Sequence, residues 1–367
     1  MWLAGPLPAD AAPLLTRLAN AEDVRYVRVM PDVHLAHDIC IGTVTATERL
    51  IYPHAVGADI GCGMVAIAFD CNADVLANKS VAGALLARLY RCVPANRQAE
   101  AQELPAGLQQ QSLSDPRLEA IKSRDGRVQL GTLGRGNHFL EFQADNQGQL
   151  WLMVHSGSRA IGQAIHDMHL AKTARTTGGL RFLEVEGKNG QAYLADMTWA
   201  ADYAAANRRA MVESASAAIT ALCGGRAIWG SYVGCSHNHV RRESHFGQEL
   251  WVHRKGAISA KAGEAGIIPG AMGAVSFHVQ GRGNPESLES SSHGAGRVMS
   301  RTDARRRIST RDLQRQLGQV WYDHRLAEAL RDEAPAAYRD VEAVLRAERD
   351  LTRILRRLVP LLCYKGT

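Results

Sequence analysis

Residues 136–159 read "GNHFLEFQADNQGQLWLMVHSGSR" and contain two strand-like runs, "HFLEFQA" and "QLWLMVH", on either side of the turn signal "DNQG". Alternating apolar positions flanking Asp, Asn and Gly are the pattern of an antiparallel hairpin. A fold-back centred between Asn146 and Gln147 sets His138 opposite His155. Directly opposed residues stand about 4.5–5.5 Å apart at Cβ, close enough for two imidazoles to share one metal ion. The blander reading is a pair of polar residues at a hairpin base.

Upstream, "VGADIGCGM" (56–64) brings Asp59 and Cys62 into one glycine-punctuated turn, where a carboxylate and a thiolate can face the same ion. A thiolate has lone pairs enough to bridge two metals, although a buried inert cysteine is the competing reading. Downstream, "CSHNHVRRE" (235–243) offers His237 and His239, which share a face if the segment is a strand. These ligand types admit zinc, iron or manganese alike. Around them lie "HRKGA" (253–257), "GIIPGAMG" (266–273) and "GRGN" (281–284), glycine-rich loops of the kind that present backbone N–H groups to oxyanions. Lys255, Arg159, Arg297 and Arg301 can neutralise phosphate charge. In "SSHGAGRVMSR" (291–301), His293 stands among side chains too small to bury it. It can be a structural histidine, a metal ligand or a nucleophile whose substrate approaches the backbone.

The rest of the chain reads as scaffold. Helical spacing is expected in "DAAPLLTRLANAED" (10–23), over 73–100, over the alanine-rich 197–223 with Trp199, Tyr203, Ala206 and Ala210 on one stripe, and over 339–358. In the last, Val341, Val344, Leu345, Leu351, Ile354, Leu355 and Leu358 form an apolar face opposite Arg and Glu. A strand, "VRYVRVMPDVH" (24–34), delivers Asp32 and His34 near a proline turn, and further strands fall in 126–160 and 226–280. With 367 residues, 46% hydrophobic composition and no dividing linker or repeat, one domain over 1–367 is expected. The seven cysteines suit reduced thiols, and no secretory leader or membrane span is evident, so a cytoplasmic address is expected. A formal charge of +6 favours polyanionic partners.

In order along the chain, "MPDVH", "IYPHAVGADIGCGM", "LGRGNHFLE", "MVHSGSR", "SHNH", "RKGA", "IIPGAMG", "SSHGAGRVMSR" and the terminal "KG" resemble the signature segments of the RtcB-type RNA-splicing ligases. The resemblance runs from about residue 30 to the end. It implies an α+β fold with antiparallel sheets flanked by helices around a deep active-site cleft. It implies a GTP-dependent ligase using two Mn²⁺ ions that joins an RNA 3′-phosphate or 2′,3′-cyclic phosphate end to a 5′-hydroxyl end, with an archease-like activator as a further partner. By the same resemblance Cys62 bridges the ions, His138 and His155 complete one set, and Asp59 and His237 the other. His293 becomes guanylylated, with Asp32 the acceptor that fixes its tautomer. Asn137, Phe139, Glu141, Asn238, Ser276, Ala295, Gly296 and Lys365 would form the nucleotide pocket, and Arg159, Lys255 and Arg301 would meet RNA phosphates.

Two departures stand out: Ala271 replaces a residue that commonly carries a hydroxyl, and His37 and Asp38 replace a glycine-rich stretch. With the short length they suggest a divergent bacterial paralogue given to RNA repair. A metal-dependent phosphodiesterase acting on RNA ends, with His293 binding phosphate and never attacking it, is the alternative; a metal-stabilised RNA-binding module is a third.

Overall fold

The computed structural model describes residues 1–175 and 178–366. Its centre is a seven-stranded sheet in which every neighbour runs antiparallel, in the order Ala265–Ile268, Ser276–Gly281, Thr352–Lys365, Phe139–Asp145, Gln149–Ser156, Gly63–Asn72 and Ala227–Ser236. A second antiparallel sheet orders Val24–His34, Ile41–Thr47, Gln248–Lys255 and Asn238–His245. A two-stranded ribbon pairs Ala257–Ser259 with Ser290–Ser292, so that His293 leaves a short, fully buried strand. This is the α+β, antiparallel architecture that the sequence led one to expect.

The hairpin exists, but its register is shifted by one. The Asp145 carboxylate accepts from the Gln147 and Gln149 amides at 2.9 and 3.0 Å, and Gly148 takes φ +76°, giving a three-residue turn centred on Gln147. Phe139, not His138, therefore faces His155. His138 lies just before the strand, outside the ladder.

The C-terminal segment departs most from expectation. Only Val341–Ala347 is helical, capped by the Asp340 side chain on the Glu342 amide, and Thr352–Lys365 is one long strand. Its apolar residues fit helical and strand periods equally badly. The strand wins because it fills the gap between Ser276–Gly281 and Phe139–Asp145, where its backbone groups find partners on both sides. Ile354 and Leu355, placed on the expected apolar helix face, are half exposed. The 73–100 region likewise divides at Asn78, whose side chain caps the helix Lys79–Cys92 after a short 3₁₀ turn. Residues 122–129 are helical, so the strands begin only at Phe139.

One helix, Lys188–Cys223, runs behind the site for 36 residues and ends at Gly224 with φ +78°. Its apolar face packs with the helix Lys79–Cys92 on the central sheet through Met211, Val212, Ala215 and Ile219. Trp199 and Tyr203 are buried as expected, but Asn207 and Arg208 are buried as well. Asn207 accepts from the Gly131 and Thr132 amides at 2.8 and 3.1 Å, and Arg208 Nη1 donates to the carbonyls of Gly61 and Ser156 at 2.8 and 2.9 Å. These hydrogen bonds hold in place the turn that carries Cys62 and the strand end that carries His155. No described helix is long and apolar enough to cross a membrane.

Candidate active site

Cys62 sits at the start of the strand Gly63–Asn72, with its thiol buried. His138 Nε2 and His155 Nε2 lie 3.4 and 3.2 Å from its Sγ. His155 Nε2 also lies 3.0 Å from His237 Nε2, and His138 Nε2 lies 2.9 Å from Asp59 Oδ2. The five expected ligands thus meet in one place despite the shifted register, because His138 reaches in from the loop. Two overlapping groups, Cys62 with His155 and His237, and Asp59 with Cys62 and His138, have ligand atoms within 4.8 Å of one another. Cys62 is common to both, but His138 and His155 belong to different groups. This grouping differs from the expected partition: leaving the ladder turns His138 toward the Asp59 turn, while the strand aims His155 at His237.

Three imidazole nitrogens, a thiol and a carboxylate converge here, a donor set suited to divalent cations. The outer nitrogens support that orientation: His155 Nδ1 is 3.1 Å from the Asn137 carbonyl, and His237 Nδ1 is 3.3 Å from Asn238 Oδ1. Burial and the neighbouring Asp59 charge push the Cys62 thiol well above its ordinary range. A bound cation would reverse that balance. Gly157 leaves space for Asp59, since a Cβ there would run into the carboxylate. His237 and His239 do not share a strand face. The ladder breaks at His237, which bridges two strands, and the His239 ring is buried elsewhere without partners for either nitrogen.

Next to this nest stands His293, its ring 4.7 Å from that of His237 and 6.4 Å from that of His34. Asp32, fully buried, accepts from the His293 amide at 3.1 Å and lies 2.6 Å from its Nδ1. With Nδ1–H given to Asp32, Nε2 keeps its lone pair free. The two segments press together because Gly296 (φ +72°) has no side chain to strike the Asp32 carbonyl. Beneath, the buried Glu348 accepts from the Ser292 amide at 2.9 Å and hydroxyl at 2.7 Å, fixing the strand that ends at His293.

His293 lines a cavity of about 360 Å³, which the nest borders through His155. Of the expected nucleotide residues, Asn137, Phe139, Glu141, Ala295, Gly296 and Lys365 line it. Asn238 and Ser276 do not. Asn238 donates to the Asp59 carbonyl and accepts from the Gly256 amide, and buried Ser276 lies behind the Pro269–Gly270 loop. Ala271 lines the cavity where a hydroxyl was expected. Burial pushes the Glu141 carboxyl up to about 8, against the opposing influence of Gln143, Cys363 and Lys365.

Glu333 was not anticipated. It lines the cavity and accepts from Lys365 Nζ, from Arg301 Nη1 at 2.5 Å and from the Tyr338 hydroxyl at 3.1 Å. No motif marks it in "RDEAPAAYRD"; its role arises from where the chain happens to pass. Arg301 lines the cavity, bound to Asp332 as well. Arg159, by contrast, is taken up by Thr132 Oγ1 and the Ala95 carbonyl at 3.1 and 3.0 Å. Lys255 is half-buried, and desolvation lowers its ammonium to about 8 against the pull of Asp38 and Cys40. His37 is exposed and lies 3.1 Å from Asp38, whose carboxylate also meets His54 at 3.5 Å.

A cation-accepting nest beside a carboxylate-tethered histidine, both open to one polar-ended cavity, defines a class of candidate centre for metal-assisted chemistry on a charged ligand. The family profile described as "tRNA-splicing ligase RtcB" matches residues 15–116 and 108–366. The RNA-splicing ligase RtcB of Escherichia coli strain K12 is 38% identical over 405 aligned residues, covering 100% of this chain and 97% of the relative. The RNA-splicing ligase RtcB of Mycobacterium bovis is 31% identical, covering 94% and 97%. The tRNA-splicing ligase RtcB of Archaeoglobus fulgidus is 28% identical, covering 98% and 92%. The chain belongs to the RtcB family of RNA ligases.

Proposed function

We propose that the chain is a cytoplasmic, single-domain, GTP- and manganese-dependent ligase joining RNA 3′-phosphate or 2′,3′-cyclic phosphate ends to 5′-hydroxyl ends, in RNA repair or tRNA splicing. The observation that carries this reading is His293: tethered through Nδ1 to Asp32, it has Nε2 free at a cavity that also borders the cation-accepting nest. Cys62, His155 and His237 would hold one ion and Asp59, Cys62 and His138 the other. Bound there, divalent ions would supply charge neutralisation for phosphoryl oxygens.

In this mechanism Nε2 of His293 forms a bond to the α-phosphorus of GTP as the bond to pyrophosphate breaks. The Asp32 carboxylate accepts from Nδ1–H, whose proton stays on the ring, and offsets the positive charge that the ring acquires. The N–H donors of a bound guanine would favour the charged form of Glu141 against its burial, so that the carboxylate accepts from N1–H and the amino group while Lys365 donates to O6, which selects guanine over adenine. Water opens any cyclic phosphate to a 3′-phosphate. The 3′-phosphate oxygen then takes GMP from His293, and the RNA 5′-hydroxyl displaces GMP to form the phosphodiester. Arg301 and Lys255 are proposed to meet RNA phosphates; Arg159, occupied by protein acceptors, has a weaker claim.

The test is incubation with Mn²⁺ and GTP labelled at the α-phosphate. The native chain should acquire an acid-labile, alkali-stable GMP adduct, and His293→Ala should not. A native chain that binds GTP, gains no label and still hydrolyses cyclic RNA ends would make the phosphodiesterase alternative correct instead.

A further inference from the structure

We infer that the exposed arginine ridge running from the helix Arg301–Arg307 into the helix Thr310–Leu317 docks the sugar-phosphate backbone of RNA outside the cleft. The inference rests on the RNA-joining reading above and extends it from the reacting ends to the body of the strand.

Residues 301–315 hold six arginines against two aspartates, a net of +4 in a chain whose formal charge is +6. Most of the excess positive charge is thus concentrated in one short stretch. Ala304, Ile308, Leu313 and Leu317 form the buried side of the two helices. Helical spacing sends Arg306, Arg311 and Arg315 to the opposite side, and Arg305 and Arg307 are exposed as well. Asp332 takes Arg301 and Arg305, and Asp312 takes Arg315 at 2.7 Å. Among the described residues, Arg306, Arg307 and Arg311 have no carboxylate within 4.0 Å.

A solvated cationic face alone is ordinary; continuity with the cavity distinguishes this one. Arg301, the first residue of its helix, lines the cavity. At about 1.5 Å of rise per residue, Arg306 and Arg307 stand roughly 8–9 Å from Arg301 along the helix axis, and both are exposed where Arg301 is half-buried. The loop at Gly136 approaches Arg301, since a Cβ there would lie 4.0 Å from Arg301 Nη2, and the neighbouring Arg135 is exposed. A polyanion leaving the cleft past Arg301 therefore meets guanidinium groups in succession, each able to take phosphate oxygens through paired N–H donors. The ridge suits RNA better than a protein partner. No exposed large hydrophobic residue falls within 301–317, and protein interfaces need an apolar centre.

The test compares the native chain with an Arg306→Ser, Arg307→Ser, Arg311→Ser triple variant. Fluorescence anisotropy with a long single-stranded RNA should show affinity reduced on the order of tenfold at physiological salt. The slope of log affinity against log salt should become shallower by about 2, at roughly 0.7 for each phosphate that is no longer neutralised. Labelling by GTP, and the KM for an RNA with only a few nucleotides beside each end, should match the native chain. Lysines at the three positions should restore the slope. Unchanged affinity and slope would overturn the proposal, as would unchanged RNA binding with lost binding of polyglutamate, which would make the ridge a protein-facing surface. If the native chain never labels with GTP but the variant loses RNA affinity, the ridge stands and the ligase reading falls.

Discussion

The two ends of the cavity are built from the same sheet and have opposite electrostatic characters. At the Cys62 end, ligand-type donors converge on one another at 2.9–3.4 Å, while Arg159 and Arg208 act on them from the side and make their own hydrogen bonds to backbone carbonyls. At the Lys365 end, Glu333 is already neutralised by Lys365 and Arg301, whose charges outweigh burial and hold its carboxyl below the usual range. The first end is a donor set that a bound divalent cation would satisfy. The second is complete by itself, so a ligand must compete with interactions the protein already makes. The difference teaches that substitutions at the nest should abolish function, while those at the far end should grade it.

The largest effect is expected for Cys62→Ala, which removes the atom common to both ligand groups. Metal content should fall to background and ligation by ~10³-fold or more, since metal ions supply several kcal/mol of charge stabilisation. A variant that retained metal and activity would break the comparison. Next, Asp32→Asn keeps the shape but weakens the acceptor at His293 Nδ1. Labelling by GTP should slow by about 10²-fold while metal content stays native. A loss of metal would show that Asp32 acts on the nest instead. At the other end, Glu333→Gln weakens the acceptor that a ligand must displace from Lys365, so KM for GTP should fall by up to about tenfold, the scale of one charge-assisted hydrogen bond, with a smaller change in kcat. A large loss in kcat would place Glu333 with the reacting atoms.

The smallest effect concerns Glu348. Burial pushes its carboxyl up to about 8, outweighing the two Ser292 donors. A carboxyl raised above its unfolded value contributes stability that is whole below about 4.5 and is lost as pH rises toward 8. Thermal melting of the native chain should therefore decline between pH 5 and 8 more steeply than that of Glu348→Gln, by an amount on the order of a few kcal/mol at most. Parallel curves would remove Glu348 from this account.

Much of the site was legible because its residues lie in short segments whose local chemistry is unusual. The Asp59–Cys62 turn and the small-residue bed of His293 are each readable within about a dozen residues, and the histidines flanking the hairpin within the single stretch 136–159. The hairpin register was missed because an even and an odd turn differ only in how Asp145 and Gly148 are used. The C-terminal strand was missed because Thr352–Lys365 has little period of its own. Sheet partners more than 60 residues away decide its conformation. That strand also turns Lys365 from an apparent loose end into a buried cavity residue.

By itself, the sequence carried the family resemblance from which the fold class was expected and, through residue type and local spacing, the identities of the ligand-type side chains and the histidine that stands apart from them. Only the tertiary structure decided which histidine joins which ligand group, that Asn207 and Arg208 brace the nest, and that Glu333 links Lys365 to Arg301. These depend on where distant segments meet, and burial sets how strongly the charges there interact.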